Sequence, residues 1–144
     1  MDTLISTHEL MKEIDNFQTR YTSIEQSVLK KNQLNRSAFF IMRYLIDQPL
    51  TLTELTSSFS LNKSTLSRQV NDLVKKGWVI KDSGKDKRFM YLVLSKEARQ
   101  LINSVHFEIE HQVTQIFSSW PNDEKQLFII LLRRINRRIE LATD

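Results

Sequence analysis

Both glycines of the chain, Gly77 and Gly84, lie within one stretch, Asn62–Leu94, and divide it into a helix and a hairpin. The first part has helix signals at both ends. Asn62 is an N-cap residue whose side-chain oxygen accepts from the free backbone donors of a first turn. Leu66, Val70, Leu73 and Val74 recur at helical spacing as one apolar stripe. Lys75 and Lys76 suit the negative end of the helix dipole, and Gly77 takes the left-handed conformation that ends a helix without a side-chain clash. The opposite face carries Lys63, Ser64, Ser67, Arg68 and Asn71, all polar and two of them cationic. Trp78–Lys81 and Arg88–Leu94 are strands by composition. The turn Asp82-Ser83-Gly84-Lys85-Asp86-Lys87 joins them and leaves Lys85, Lys87 and Arg88 projecting together.

A polar, basic helix followed by a positive hairpin is the pattern of a winged helix-turn-helix. The helix enters the major groove of DNA, and the wing lies over the backbone or the minor groove. The upstream residues supply the first helix of that unit. Thr51 and Glu54 form a capping-box signature, and Leu52, Leu55 and Phe59 face inward from a short helix ending near Ser58. Ser60 and Leu61 turn the chain, with Leu61 expected to plug the turn; Ser60 stands where glycine is frequent. Before this unit, Asn35–Asp47 reads as a helix stopped by Pro49. Phe39, Phe40, Met42, Tyr44, Leu45 and Ile46 are its core candidates, and Arg43 either emerges at the surface or pairs with a carboxylate.

Long helices flank the unit. Leu10, Ile14, Phe17, Tyr21, Ile24 and Val28 form one seam from about Ser6 to Lys31, which Asn32-Gln33 breaks. After Ser95, which caps the next helix, Ala98, Leu101, Ile102, Val105, Ile109, Val113, Ile116 and Phe117 form another, expected to reach about Ser119. Pro121 then opens a last helix to about Leu141. The fold class is therefore mainly α with a small β-hairpin. Residues 1–33 form an N-terminal dimerisation helix, 34–95 the winged DNA-binding domain and 96–144 the C-terminal dimerisation helices. The terminal helices hold more apolar surface than one small winged domain covers, so a homodimer is the expected state.

The charge is localised. Residues 1–33 carry net −1, 34–59 zero, 60–91 +5 and 92–144 zero, so the whole +4 excess lies in the helix-and-hairpin segment. That is an electrostatic footprint for nucleic acid. With no cysteine in the chain, disulfides and thiol-based sensing are excluded. Met1-Asp2-Thr3 opens no signal peptide and no apolar run suits a membrane span, so a cytoplasmic protein is expected. His106 and His111 are five residues apart, off the three-or-four spacing of one helix face, so no metal site is expected and these are read as surface histidines. No nucleophile–base set, glycine-rich phosphate loop or HExxH motif is present, so neither an enzyme nor a cofactor is expected.

The order Ser64-Thr65-Leu66-Ser67-Arg68, then Val70, Leu73, Lys76-Gly77, Asp86-Lys87-Arg88 and Leu92-Val93-Leu94-Ser95 resembles the MarR family of transcription regulators. The likeness runs over nearly the whole chain. It departs from the family at Ser95-Lys96-Glu97-Ala98, where a glycine is frequent, and at Trp78, which stands where a smaller aliphatic residue or a tyrosine often sits; Trp78 either fills core space or shapes an effector cleft. The resemblance implies an obligate, triangular dimer whose terminal helices intertwine. Two winged domains then reach a pseudo-palindromic operator of double-stranded DNA. It implies that Asp86 orients the wing through Arg88, a charge-assisted pairing, and that a small aromatic or phenolic effector binds between the two regions and relieves repression.

On this reading Lys63, Ser64, Thr65, Ser67, Arg68 and Gln69 face DNA from the helix. Arg68 reads guanine or grips phosphate, Gln69 faces adenine and Lys63 meets phosphate. Thr65 has a buried alternative. Lys85, Lys87 and Arg88 make the wing contact. Arg133, Arg134, Arg137 and Arg138 form a second basic run, which either approaches DNA or, as the zero net charge of residues 92–144 favours, makes inter-helix or inter-subunit ion pairs. The rival to a sequence-specific regulator is a winged protein with an architectural or protein-interaction role.

Overall fold

Side-chain caps and left-handed turns set the helix boundaries. Helix α1 (Thr7–Lys31) starts where Ser6 Oγ accepts from the Glu9 amide at 3.1 Å. It ends in a Schellman turn, in which Gln33 N–H donates to Lys30 C=O and Leu34 N–H to Leu29 C=O, with Gln33 at φ 58°. A non-glycine residue held there costs about 1–2 kcal/mol. Helix α2 (Arg36–Asp47) is capped by Asn35, whose Oδ1 accepts from the Ala38 amide at 2.7 Å. Gln48 is extended at φ −161°, because Pro49 disfavours a helical residue before it.

The computed structural model describes residues 3–59, 61–84 and 86–143, which form two units divided after Ile109. In the first, β1 (Leu50–Thr51) leads directly into α3 (Leu52–Ser57), and then come α4 (Lys63–Lys75), β2 (Val79–Asp82) and β3 (Tyr91–Leu94). Helix α5 (Lys96–Ile116) begins after Ser95, whose Oγ accepts from the Ala98 amide at 3.1 Å. The sheet is three-stranded and antiparallel in the order β1-β3-β2, so the expected two-stranded hairpin gains a third strand. Leu50 pairs with Leu92 and Val79 with Leu94. Two residues after a proline, the second of them the cap of α3, are too few to display strand alternation, which is why β1 escapes a pattern search. Strand β3 starts at Tyr91, three residues later than expected, because Arg88 is drawn into the wing turn.

The core lies where α2, α4, the sheet and α5 meet. Phe39, Met42 and Leu45 of α2 are buried as expected, and Ile41 joins them at 0% exposure. Tyr44 is exposed and Phe40 half-buried, so they leave the expected core. Leu55, Leu66, Val70 and Leu73 line the helix-turn-helix side. Each fully buried side chain of this kind contributes about 1.5–3 kcal/mol. Leu61 is only half-buried and does not plug the turn; Phe59 packs on the core instead. Ser60 lies outside the described residues. Trp78 packs against the core as well, and His106 is half-buried with its ring 5.6 Å from that of Phe39, not a surface histidine.

Only the last turn of α1 is buried, through Val28 and Leu29; Leu10, Ile14, Phe17 and Tyr21 of its seam are exposed. In the second unit α5 ends at Ile116, short of the expected Ser119. Phe117 and Trp120 fold back there, with rings 4.9 Å apart and each within 5.7 Å of Phe128. Helix α6 (Asn122–Thr143) opens with Asp123 and Glu124 in its first turn and buries no residue.

Candidate nucleic-acid interface

The helix-turn-helix is built from α3 and α4, and each begins with a side-chain cap. Thr51 Oγ1 accepts from the Glu54 amide at 3.1 Å while the Glu54 carboxylate accepts from the Thr51 amide, the reciprocal capping box. At α4, Asn62 Oδ1 accepts from both the Thr65 amide and the Ser64 hydroxyl, each at 2.8 Å. That leaves the Ser64 hydroxyl free to act only as an acceptor. The C-terminus closes in a Schellman turn: Trp78 N–H donates to Leu73 C=O and Gly77 N–H to Val74 C=O, with Gly77 at φ 78°. The apolar stripe Leu66, Val70 and Leu73 faces the core, which turns Lys63, Ser64 and Arg68 outward into solvent.

Three further helix candidates sit deeper. Thr65, Ser67 and Gln69 are half-buried. The Gln69 Oε1 atom is covered and has no hydrogen-bond partner. An unmade bond of that kind carries a desolvation cost of about 1–3 kcal/mol. A contact the pattern did not single out braces the helix. Lys81 Nζ of β2 donates to Asn71 Oδ1 at 3.3 Å, joining the exposed side of α4 to the hairpin. Both residues are polar and ten positions apart, and only the β2 register brings them together.

Two aspartates shape the wing. Asp82 Oδ1 accepts from the Gly84 amide at 3.0 Å, with Gly84 at φ 58°. Asp86 accepts three bonds from Arg88: the amide at 3.1 Å, Nε at 3.1 Å and Nη2 at 2.9 Å. The last two form a bidentate, charge-assisted pair. Hydrogen bonding from the Arg88 side chain, then from its amide, holds the Asp86 carboxyl below its ordinary pKa, and Asp86 in return raises that of Arg88. The Arg88 side chain remains 82% exposed, with its guanidinium 5.8 Å from the Phe89 ring. Lys87 is exposed beside it, and the Lys85 expectation lies outside the described residues.

A second feature lies on the outer face of α2. Arg36 and Arg43 lie over the Phe40 ring at 5.3 and 5.7 Å, and Arg43 also lies 5.5 Å from the Phe39 ring. Arg43 thus emerges at the surface on two aromatic rings. Beside it is an open cleft of about 570 Å³ lined by Phe40, Arg43, Tyr44, Asp47, Gln48, Leu50 and Ser58. The core-facing periodicity of α2 gave no hint of it, because its lining mixes one helix face with a strand and a loop.

A family model described as the MarR family matches residues 32–88, the span from the end of α1 through α4 to the wing arginine. The chain is 31% identical over 127 residues, 87% of its length, to the HTH-type transcriptional regulator YxaD of Bacillus subtilis, covering 89% of that protein. The chain belongs to the MarR family. It is a DNA-binding transcriptional regulator of the winged helix-turn-helix type. Its fold matches that of a MarR family protein from Bacillus stearothermophilus with a TM-score of 0.83 at 19% identity, over 92% of this chain and 94% of the other. It also matches NadR, solved in complex with 4-hydroxyphenylacetate, with a TM-score of 0.65 at 18% identity over 94% and 97%. No helix among the described residues is long and apolar enough to cross a membrane.

Proposed function

We propose that this MarR-family chain is a homodimeric, sequence-specific repressor of a pseudo-palindromic operator. The observation that carries the reading is the outward face of α4, set by the burial of Leu66, Val70 and Leu73, next to a wing whose arginine is clamped by Asp86. On this reading Arg68 reads a base edge or grips phosphate, with Ser64 and Lys63 beside it. Lys63 is a phosphate contact that sets register without reading sequence. Thr65, Ser67 and Gln69 line the same surface, with Gln69 turning its covered amide out to a base when DNA arrives. Lys85, Lys87 and Arg88 steady the wing on the sugar-phosphate backbone, and Asp86 aims Arg88.

Two α4 helices related by a dimer axis read half-sites about one helical turn, roughly 34–36 Å, apart. The exposed apolar seam of α1 and the unburied α6 support the dimer, because surfaces of this kind are normally covered. The α2 cleft supports an effector. An aromatic acid would place its carboxylate on Arg43 and its ring against Phe40 and Tyr44, a ligand chemistry like that of the NadR complex. The protein acts by binding, without catalysis or a cofactor, in the cytoplasm.

Selection of bound duplexes from random DNA by the purified chain, repeated with a panel of aromatic acids, tests the proposal. It expects a palindromic consensus bound roughly 10³-fold or more tighter than random duplex at physiological salt. A ratio near one would favour an architectural or protein-interaction role, and a consensus unmoved by every acid would remove the effector.

A further inference from the structure

Asp86 grips one edge of the Arg88 guanidinium, but an exposed pair is screened by water and salt and fixes a long side chain only loosely. A second group lies against the same cation. The guanidinium carbon of Arg88 stands over the Phe89 ring, 5.8 Å from its centroid. Phe89 is itself anchored. Its amide donates to Asp86 C=O at 3.2 Å, which closes the wing turn. Its ring is 6.4 Å from that of Tyr91, since residues two apart on an extended chain share a side. Tyr91 opens β3 and is paired with Thr51 on one flank and Asp82 on the other, so it is a fixed point of the sheet. The Tyr91 ring in turn lies against Gly84, where a methyl group in place of hydrogen would meet Cδ2 at 3.5 Å. A row of contacts thus runs from the sheet through two rings to an exposed cation. Phe89 is 47% exposed and takes no part in the core.

We propose that Phe89 is a positioning residue for Arg88, a platform that orders the guanidinium before a duplex arrives and does not touch DNA itself. The proposal rests on the reading of Arg88 as a DNA contact and goes beyond it, because it gives the wing arginine a second holder. The two holders restrain different motions. A bidentate carboxylate binds in the plane of the guanidinium, whereas a ring attracts the cation through its π face. Arginine is suited to both at once, being planar and weakly hydrated. A side chain ordered in advance loses less conformational freedom on binding, so the gain appears as affinity without any added contact. The ring is uncharged and releases no counterion, so its effect is separable from that of the arginine.

Binding of the full-length chain to the duplex selected from random DNA tests this with Phe89→Ala, Phe89→Leu and Phe89→Tyr. Phe89→Ala should weaken binding by about two- to tenfold, the effect of ordering one long side chain. Its salt slope should equal the parent's, because no phosphate contact is lost. Phe89→Leu keeps apolar bulk without the ring and should lose as much, while Phe89→Tyr should bind like the parent. In an Arg88→Ala background Phe89→Ala should change affinity by less than about 1.5-fold, because two changes that act through one group do not add. Equal weakening in both backgrounds overturns the proposal, since Phe89 would then act without Arg88. A leucine variant that binds like the parent overturns it too. NMR relaxation of the Arg88 Nε–H in the free chain gives a second readout. Its order parameter should fall in the alanine and leucine variants while the amides of β2 and β3 keep theirs. An unchanged Arg88, or a hairpin that loosens with it, overturns the platform. That measurement needs no DNA, so a chain that selects no duplex would remove the DNA reading while relaxation still decides whether Phe89 holds Arg88.

Discussion

Helices α4 and α6 are both basic and both amphipathic, yet they stand in opposite relations to their own chain. Helix α4 buries Leu66, Val70 and Leu73 in the core of its unit and offers only its polar face, whereas α6 buries nothing. Helix α4 is held by caps at both ends, by the Asn71–Lys81 bond and by the apolar stripe, so its exposed side chains are presented from a rigid base. Helix α6 keeps Leu131, Ile135 and Ile139 in solvent on one side and four arginines on another. Equal amphipathicity therefore does not mean equal burial. On the reading proposed above, α4 has its apolar face satisfied within the chain and α6 leaves its apolar face for a partner subunit.

The sharpest way to break this contrast is to truncate one apolar residue in each helix and unfold the variants in denaturant at several protein concentrations. Leu66→Ala should cost about 2–5 kcal/mol, whatever the concentration, because it leaves a cavity in the core. Ile135→Ala should cost under about 0.5 kcal/mol in dilute protein, and its deficit should grow as concentration favours the dimer. Equal, concentration-independent losses would erase the distinction.

The next effect is on recognition. Arg68→Ala should weaken operator binding by about 1–3 kcal/mol, roughly five- to 150-fold in Kd, measured by fluorescence anisotropy on the selected duplex. Folding should be untouched, since Arg68 is exposed. Loss of stability in place of affinity would assign Arg68 to packing. Smaller still, Arg88→Ala should lower the salt slope of binding by about one unit, the signature of one lost phosphate contact. A slope equal to the parent's would detach the wing arginine from the backbone.

The smallest expected effect is on pH dependence. The Asp86 pKa is depressed in the folded chain, so its contribution to stability is present above its unfolded pKa and fades as pH falls through the folded one. Asp86→Asn should flatten that acid limb slightly and leave stability near neutrality close to the parent's, because the pair is exposed and screened. Chemical denaturation across the acid range, with the Arg88 side-chain resonances followed in parallel, checks the sign. A variant that steepens the acid limb would contradict the clamp.

Much of this was legible in the chain itself. The cap at Asn62, the stop at Gly77, the capping box at Thr51 and the block before Pro49 are local signals, and each structure element they announce is present. The misses share a cause: they depend on residues distant in sequence. Strand β1 exists because Leu50 and Thr51 meet Leu92 and Tyr91. Leu61 is only half-buried in the turn it was expected to plug, and Tyr44 leaves the core because only one face of α2 is needed to fill it. The Asn71–Lys81 brace and the α2 cleft belong to the same class.

Sequence alone determined the periodicities, the end signals and the placement of +5 within residues 60–91, because these arise from neighbours a few bonds or one turn apart. Tertiary structure alone decided which apolar faces are satisfied. The seams of α1, α5 and α6 look equivalent as patterns. Yet α5 places Ala98, Ile102 and Val105 in the core, α1 contributes only its last turn, and α6 contributes nothing. Periodicity records that a face is apolar, but burial depends on whether another surface of matching shape lies against it, and that is settled only when the whole chain has folded.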